Sequence, residues 1–387
     1  MATVVALALG PASGAPALPP SLESAPDGAT IALLTAPKPA GQWSMFMNGP
    51  MRQGRSPFVG PQSPHLAWHI PTETNYGGPV IGKDGTIYQG TDLHQLLALS
   101  PSGVLKWSIP TPYRVSATPA ILPDGRIVFV DEGGTIYAAN PDGSISWTNH
   151  AGVGSGADDG PAIGRNGTIY AGIGPAVYAF RSDGTTLWSY QLGGNALGPV
   201  AVRPDGTVYA ASSRLFAIGP GGSLLWETDP LQIGSVSIGP DGTVYANSKL
   251  PPTVYAYNSD GTLKWKYQAD TCCGVDVAAT PAIGTDGTIY VGQNLSEHGA
   301  MLALNPDGTL KWRADYGHAP TSPALDADGT IYYGGGSGTP SVFALNPDGS
   351  LKWEYDTADG YLRTAVAIGL HHRLYAGTAK AFYAFGP

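Results

Sequence analysis

The stretch Ala303-Leu-Asn-Pro-Asp-Gly-Thr-Leu-Lys-Trp312 decides the fold, because its frame recurs along the chain. An alanine is followed nine positions later by a tryptophan in Ala98–Trp107, Ala138–Trp147, Ala179–Trp188, Ala217–Trp226, Ala256–Trp265, Ala303–Trp312 and Ala344–Trp353. An eighth alanine, Ala384, lies too near Pro387 to have such a tryptophan after it, while an unmatched Trp68 stands before Ala98. Eight units in a ring follow, with an N-terminal strand around Leu66–Ile70 completing the last one. From Trp68 to Trp353 the steps are 39, 40, 41, 38, 39, 47 and 41 residues. Periods near forty belong to propeller blades or helical repeats. With Gly 54 and Pro 35 in 387 residues, stacked helices are excluded, since both residues disfavour helix interiors.

The unit around the opening stretch reads as a four-stranded meander. Pro281-Ala-Ile-Gly284 is an inner strand, Asp286-Gly287 a turn, and Thr288-Ile-Tyr-Val-Gly292 a second strand. Leu302-Ala-Leu304 is a third strand, Asp307-Gly308 a turn, and Leu310-Lys-Trp312 the outer fourth. Asp-Gly readily supplies the positive φ that tight hairpins require. The first turn recurs at Asp84, Asp124, Asn166, Asp205, Asp241 and Asp328, each followed by glycine. Four residues after it stands a tyrosine, except in the second unit, where Val128 replaces it. Strands apolar without strict alternation are buried on both faces, as blades packed face to face require. The recurrent alanine leaves room for an indole, which buries on the order of 150–250 Å².

The chain has 20 basic and 29 acidic residues and no basic run, which argues against a nucleic-acid groove or an anionic membrane surface as partner. Residues 1–40 fit no blade. Thr3 to Gly10 is an apolar run too short to span a bilayer, followed by Pro/Ala/Gly/Ser-rich sequence. It is similar to the apolar core of a secretory signal, with small residues at 12–15, although the first Lys or Arg is Lys38. The expectation is a secreted or periplasmic, envelope-located monomer without a lipid anchor. Residues 1–40 form a signal-like linker and 41–387 a single propeller.

The opening stretch resembles the tryptophan-docking motif of the quinoprotein (PQQ) propeller repeat family. Trp43-Ser-Met-Phe46, with Arg52, Gly54, Ser56 and Pro57, resembles the family's lead-in, and the likeness covers residues 43–387. It implies an all-β, eight-bladed propeller. That family includes dehydrogenases that hold pyrroloquinoline quinone on the axis. It also includes cofactor-free members such as an eight-bladed outer-membrane assembly lipoprotein.

Both Asp-Gly turns of a blade fall at one end of the ring. Loops between second and third strands and the blade connections form the other, variable end. Function is expected there, near the axis. The longest step, Trp265 to Trp312, carries two insertions, Tyr267–Asp276 and Gln293–Gly299. Cys272 and Cys273, the only cysteines, read as a disulfide with each other in an exported chain. The resemblance implies a disulfide ring against a quinone; a structural ring without cofactor and two free buried thiols stand beside it. Quinone chemistry also requires a divalent cation with oxygen ligands, a carboxylate base and a basic residue. On the variable connections Asp158, Asp159, Asp276, Asp356 and Asp359 offer carboxylates, and Arg114 and Arg363 offer positive charge. Tyr113, Tyr361, His150 and His318 accompany them. Their spacing matches no catalytic motif, so PQQ and Ca²⁺ lack a complete site, and no metal site is assigned. Gly-x-Ser-x-Gly, His-Glu-x-x-His and Cys-x-x-Cys are absent. His371-His372 takes the place of the last unit's Asp-Gly turn.

The reading is a propeller that binds a protein, small-molecule or glycan partner through its variable face. Its candidate ligand residues are Tyr113, Arg114, Asp158, Asp159, Asp276, His318, Tyr361 and Arg363. Alternatives are a compact PQQ- and Ca²⁺-dependent dehydrogenase of alcohols or sugars, and a carbohydrate-active lyase or lectin using Tyr361, His318 and Arg363.

Overall fold

The computed structural model describes residues 41–72, 77–152, 160–196, 198–229, 231–248, 251–269, 279–294, 299–317, 321–335, 340–362 and 364–387. These residues form eight antiparallel sheets, one per repeat, within the unit Ala36–Pro387. Blade six is representative, with strands Ala282–Ile283, Ile289–Asn294, Gly299–Leu304 and Leu310–Ala314. Its insertion lengthens the central hairpin, whose last pair is Asn294 with Gly299.

The repeat motif is a row of side chains across each blade. Tyr290, Ala303 and Trp312 sit in register on the second, third and fourth strands. Alanine is small enough for the two rings to meet over it, with centroids 5.8 Å apart. That is well short of the roughly 9.6 Å spanned by two strand spacings. The same contact joins Tyr88 to Trp107 at 5.6 Å and Tyr209 to Trp226 at 5.7 Å.

Every indole of the row except that of Trp353 also ties its blade to the next. Trp265 Nε1 donates to the Pro306 carbonyl at 2.9 Å, and Trp312 Nε1 to that of Pro347 at 2.9 Å. These carbonyls lie in the turn between the third and fourth strands of the following blade. Its glycine must be bare: a Cβ on Gly308 would stand 2.6 Å from Trp265 Cδ2. Gly308 also has φ +87°, a conformation that side chains disfavour.

The ring closes as the repeat count requires. Leu66–Pro71 is the outer strand of blade eight, beside Ala381–Phe385, and Trp68 pairs with Ala384. The Trp68 indole donates to Pro101 of blade one at 2.9 Å. Trp353 of blade seven meets no repeat turn and donates instead to Pro61 at 3.0 Å.

Before that strand, the chain crosses the axis. Gly41–Trp43 pairs with the inner strand of blade one. Onward, the carbonyls of Ser44, Pro50, Met51, Gln53 and Gly54 accept N–H bonds from Ile121, Val202, Ile238, Ile283 and Leu325, the inner strands of blades two, four, five, six and seven. Inner strands are sheet edges, and the lead-in consumes the N–H groups that an open edge would leave exposed. Those residues immediately precede the first turns, so the lead-in closes the Asp-Gly end of the axis. Phe46 and Met47 fill it, buried among Ala282, Tyr333 and Phe343.

Candidate functional site

The two ends of the ring differ in what their polar groups are doing. At the Asp-Gly end, Asp286 accepts from Thr288 N at 3.0 Å, Thr288 Oγ1 at 2.7 Å and Lys311 Nζ at 3.2 Å. Burial raises its pKa, but the bonds from Thr288 and Lys311 together outweigh burial and hold it below the usual carboxylate value. Asp84 with Thr86 and Lys106, and Asp241 with Thr243 and Lys264, repeat the arrangement. The neighbouring Tyr290 phenol is pushed up to about 12 by burial and by Asp286. These carboxylates hold turns, and none of these groups is tuned to exchange protons near neutrality.

Arg52, in the lead-in, is fully buried. Its Nε donates to Val200 O at 2.9 Å, Nη1 to Phe46 O at 2.8 Å and Nη2 to Gly160 O at 3.0 Å. The guanidinium therefore ties the lead-in to blades three and four. Sequence reasoning noticed Arg52 only within the family lead-in; its long-range partners have no local signature.

Of the sequence-chosen residues, Tyr113, Arg114, His150, Asp356, Asp359 and Tyr361 are described; His150 Nδ1 lies 3.2 Å from Thr135 Oγ1, Asp356 accepts from Ala358 N at 2.9 Å, and Asp359 accepts from Tyr383 Oη. Asp158, Asp159, Asp276, His318, Arg363, Cys272 and Cys273 lie outside the described residues. Tyr113 and Arg114 belong to the connection from blade one to blade two. Tyr361 belongs to the connection from blade seven to blade eight, two blades away, and its carbonyl accepts from Ala379 N at 3.3 Å.

Tyr113 and Arg114 have a built setting. Thr111 Oγ1 donates to Tyr113 O at 2.6 Å, and Glu132 N to Arg114 O at 2.8 Å. The Tyr113 ring lies over Gly133, where a Cβ would come within 2.3 Å of Tyr113 Cδ2. Tyr113 is nonetheless 55% exposed, and Arg114 reaches only 4.0 Å from Asp92. Beside them, the loop of blade one exposes Leu93 to 53%, and His94 Nδ1 sits 3.1 Å from Pro112 O. Among the described residues, Leu93 and Tyr113 are the large exposed apolar side chains of the variable end. The others are in outer strands or at the opposite end. Sequence reading missed Leu93, because Asp92-Leu-His94 looks like any short loop.

Among the described residues no three of His, Cys, Asp and Glu come together as metal ligands.

An eight-bladed propeller of four-stranded blades, closed by an N-terminal strand, is the class this geometry defines. The sequence profile described as outer membrane protein assembly factor BamB matches residues 42–174 and 174–321, and the chain belongs to that family. BamB from Moraxella catarrhalis superposes with a TM-score of 0.64 at 15% identity, covering 83% of this chain and 99% of that one. Quinohemoprotein alcohol dehydrogenase from Comamonas testosteroni gives 0.70 at 11% identity, covering 90% and 82%. At these identities the likeness concerns the fold. The uncharacterized protein YxaL of Bacillus subtilis (strain 168) is 45% identical over 58 residues, 15% of this chain and 13% of that protein's length.

Proposed function

We propose that this propeller binds a partner protein through the variable end of blade one, in the cell envelope or outside the cell. The observation that carries this reading is the exposed cluster of Leu93, Tyr113 and Arg114 on a braced connection. Tyr and Arg are over-represented among residues that dominate binding energy, and an aromatic ring held over glycine gives up little entropy on binding. Membership in a family described as an outer membrane assembly factor supports a protein partner and an envelope location. The signal-like character of residues 3–10 supports export.

A photo-crosslinking residue placed at Tyr113 in the native host tests this reading. It should capture one discrete partner, and the same probe at Lys106, on the outer strand of blade one, should not. Tyr113→Ala combined with Arg114→Ala should lower affinity for that partner at least tenfold with an unchanged melting temperature. Equal capture at both positions would sink the proposal. Dye-linked alcohol oxidation by protein supplied with pyrroloquinoline quinone and Ca²⁺ would replace it with the dehydrogenase reading. The disulfide between Cys272 and Cys273 belongs to the same picture of an exported chain. Denaturing alkylation without reductant should add no mass to protein from an oxidising compartment; uptake of two alkyl groups refutes the bond.

A further inference from the structure

At the Asp-Gly end, between the lead-in and the first turns of blades six and seven, an open pocket of about 600 Å³ remains. That volume suits a small organic ligand. Its walls are mostly apolar, from Met51, Pro57, Leu325 and Pro347, and two arginines line it: Arg52, whose guanidinium is held by three carbonyls, and Arg55. The Arg55 backbone is fixed: Ser56 N donates to Leu325 O at 2.8 Å, and Leu325 N to Gly54 O at 2.7 Å. Gln53 Oε1 accepts from Arg55 Nη2. Gln53 is itself anchored, donating from Nε2 to Ile238 O at 2.8 Å. A guanidinium carries five N–H donors, and among the described residues no other bond or ion pair engages this one. Burial alone pulls its pKa below the ordinary guanidinium value, with no carboxylate compensating.

The carboxylates of the pocket are differently placed. Asp286 is held by Thr288 and Lys311. Asp326 accepts from Gly60 N at 3.0 Å, Asp328 N and Thr330 N at 2.9 Å, and Tyr332 Oη at 3.1 Å. Asp328 is exposed on the rim. These negative charges oppose a dianion such as phosphate, while a planar monoanion can meet a pre-positioned guanidinium in bidentate fashion. We propose that this pocket is a binding site for a monocarboxylate with an apolar body: the carboxylate pairs with Arg55 and the body lies on Met51, Pro57, Leu325 and Pro347. The source can be a free small acid or the C-terminal residue of a polypeptide, which present the same chemistry. This site is at the end of the ring opposite the proposed partner surface, so its failure leaves that reading standing.

The test uses the full chain with methyl-labelled methionine, 4-phenylbutyrate, acetyl-Gly-Gly-Phe, and the amide of each. At least one acid should bind saturably and shift the Met51 methyl resonance but not that of Met301, which is buried in blade six. Its amide should bind at least tenfold more weakly. Whichever acid binds more tightly assigns the source. Arg55→Gln should abolish the effect and Arg55→Lys should retain part of it. Pro57→Glu, at an exposed wall position, should also abolish binding while leaving the lead-in bonds in place. Equal binding of acid and amide, a Met51 resonance that does not move, or full binding by a folded Arg55→Gln or Pro57→Glu variant overturns the proposal, as does absence of saturable binding by either acid.

Discussion

Blades six and eight build the same Tyr–Ala–Trp row by different routes. In blade six Tyr290, Ala303 and Trp312 come from one short stretch, so local turns alone bring them into register. In blade eight Tyr375 and Ala384 are joined by Trp68 from the far end of the chain, with Trp68 and Tyr375 centroids 6.1 Å apart. Closing a long loop costs entropy that grows only slowly with its length, and the closing strand regains it by satisfying an otherwise open edge. The repeat can therefore be uniform in contacts while being non-uniform in topology. Dependence on the N-terminal segment should consequently exceed dependence on any one repeat turn.

The largest expected effect is a truncation that begins after Pro71. It removes the closing strand and the lead-in together, leaves blade eight with an open edge, and should abolish the cooperative thermal transition and produce aggregates in size-exclusion chromatography. A chain beginning at Gly41 should melt like the full-length protein. Similar melting of both truncations would break the comparison.

Next comes Arg52→Met. It strips a donor from each of the carbonyls of Phe46, Gly160 and Val200 inside the ring. Leaving buried acceptors unpaired costs about 3 kcal/mol or more, measurable as a lower denaturation midpoint in urea. A loss of similar size in Arg52→Lys would show that the planar fork, rather than charge, holds the lead-in.

The turns sharpen the point. Gly308→Ala places a Cβ against Trp265, whereas at Gly167, with φ +77°, a Cβ meets nothing within 4 Å. Backbone strain alone costs about 1–2 kcal/mol, and overpacking adds roughly 1–3 kcal/mol. Gly308→Ala should thus destabilise clearly more than Gly167→Ala; equal losses would mean that the indole yields. In blade eight the corresponding first turn holds His371 at φ 58° and His372 at φ 56°. The double substitution His371→Asn with His372→Gly should stabilise by about 1 kcal/mol, read from the same denaturation curves.

The smallest effect is pH dependence. Asp84, Asp241 and Asp286 have folded pKa values below their usual ones, through bonds from threonine and lysine that outweigh burial. Their contribution is complete above the unfolded carboxylate pKa, about 3.9. It is lost as pH falls through the lower folded values. Melting temperature should decline below about pH 4, and Asp286→Asn should make that decline shallower. An unchanged slope would remove these turns from the acid response.

Much of the blade was legible because its determinants are local. Asp-Gly turns and the Ala-to-Trp spacing each act within a few residues, so the eight-unit count and the pairing of Trp68 with Ala384 could be read directly. Val128, the break in the tyrosine pattern, matches a blade where Phe129 and Tyr137 stack instead, at 4.8 Å. The site was less legible. Tyr113 and Arg114 were chosen for their position on a variable connection, but their brace on Glu132 and Gly133, and their neighbour Leu93, come from other loops.

By itself, the sequence determined the architecture, because a repeated local pattern forces a repeated local structure and an unmatched strand at each end forces closure. Only the tertiary structure decided the fate of residues 41–58. Their carbonyls are spoken for by inner strands far apart in sequence, and Arg52 by blades three and four. A hydrogen bond across the axis leaves no periodic trace in the chain, since its partners are set by where eight sheets converge.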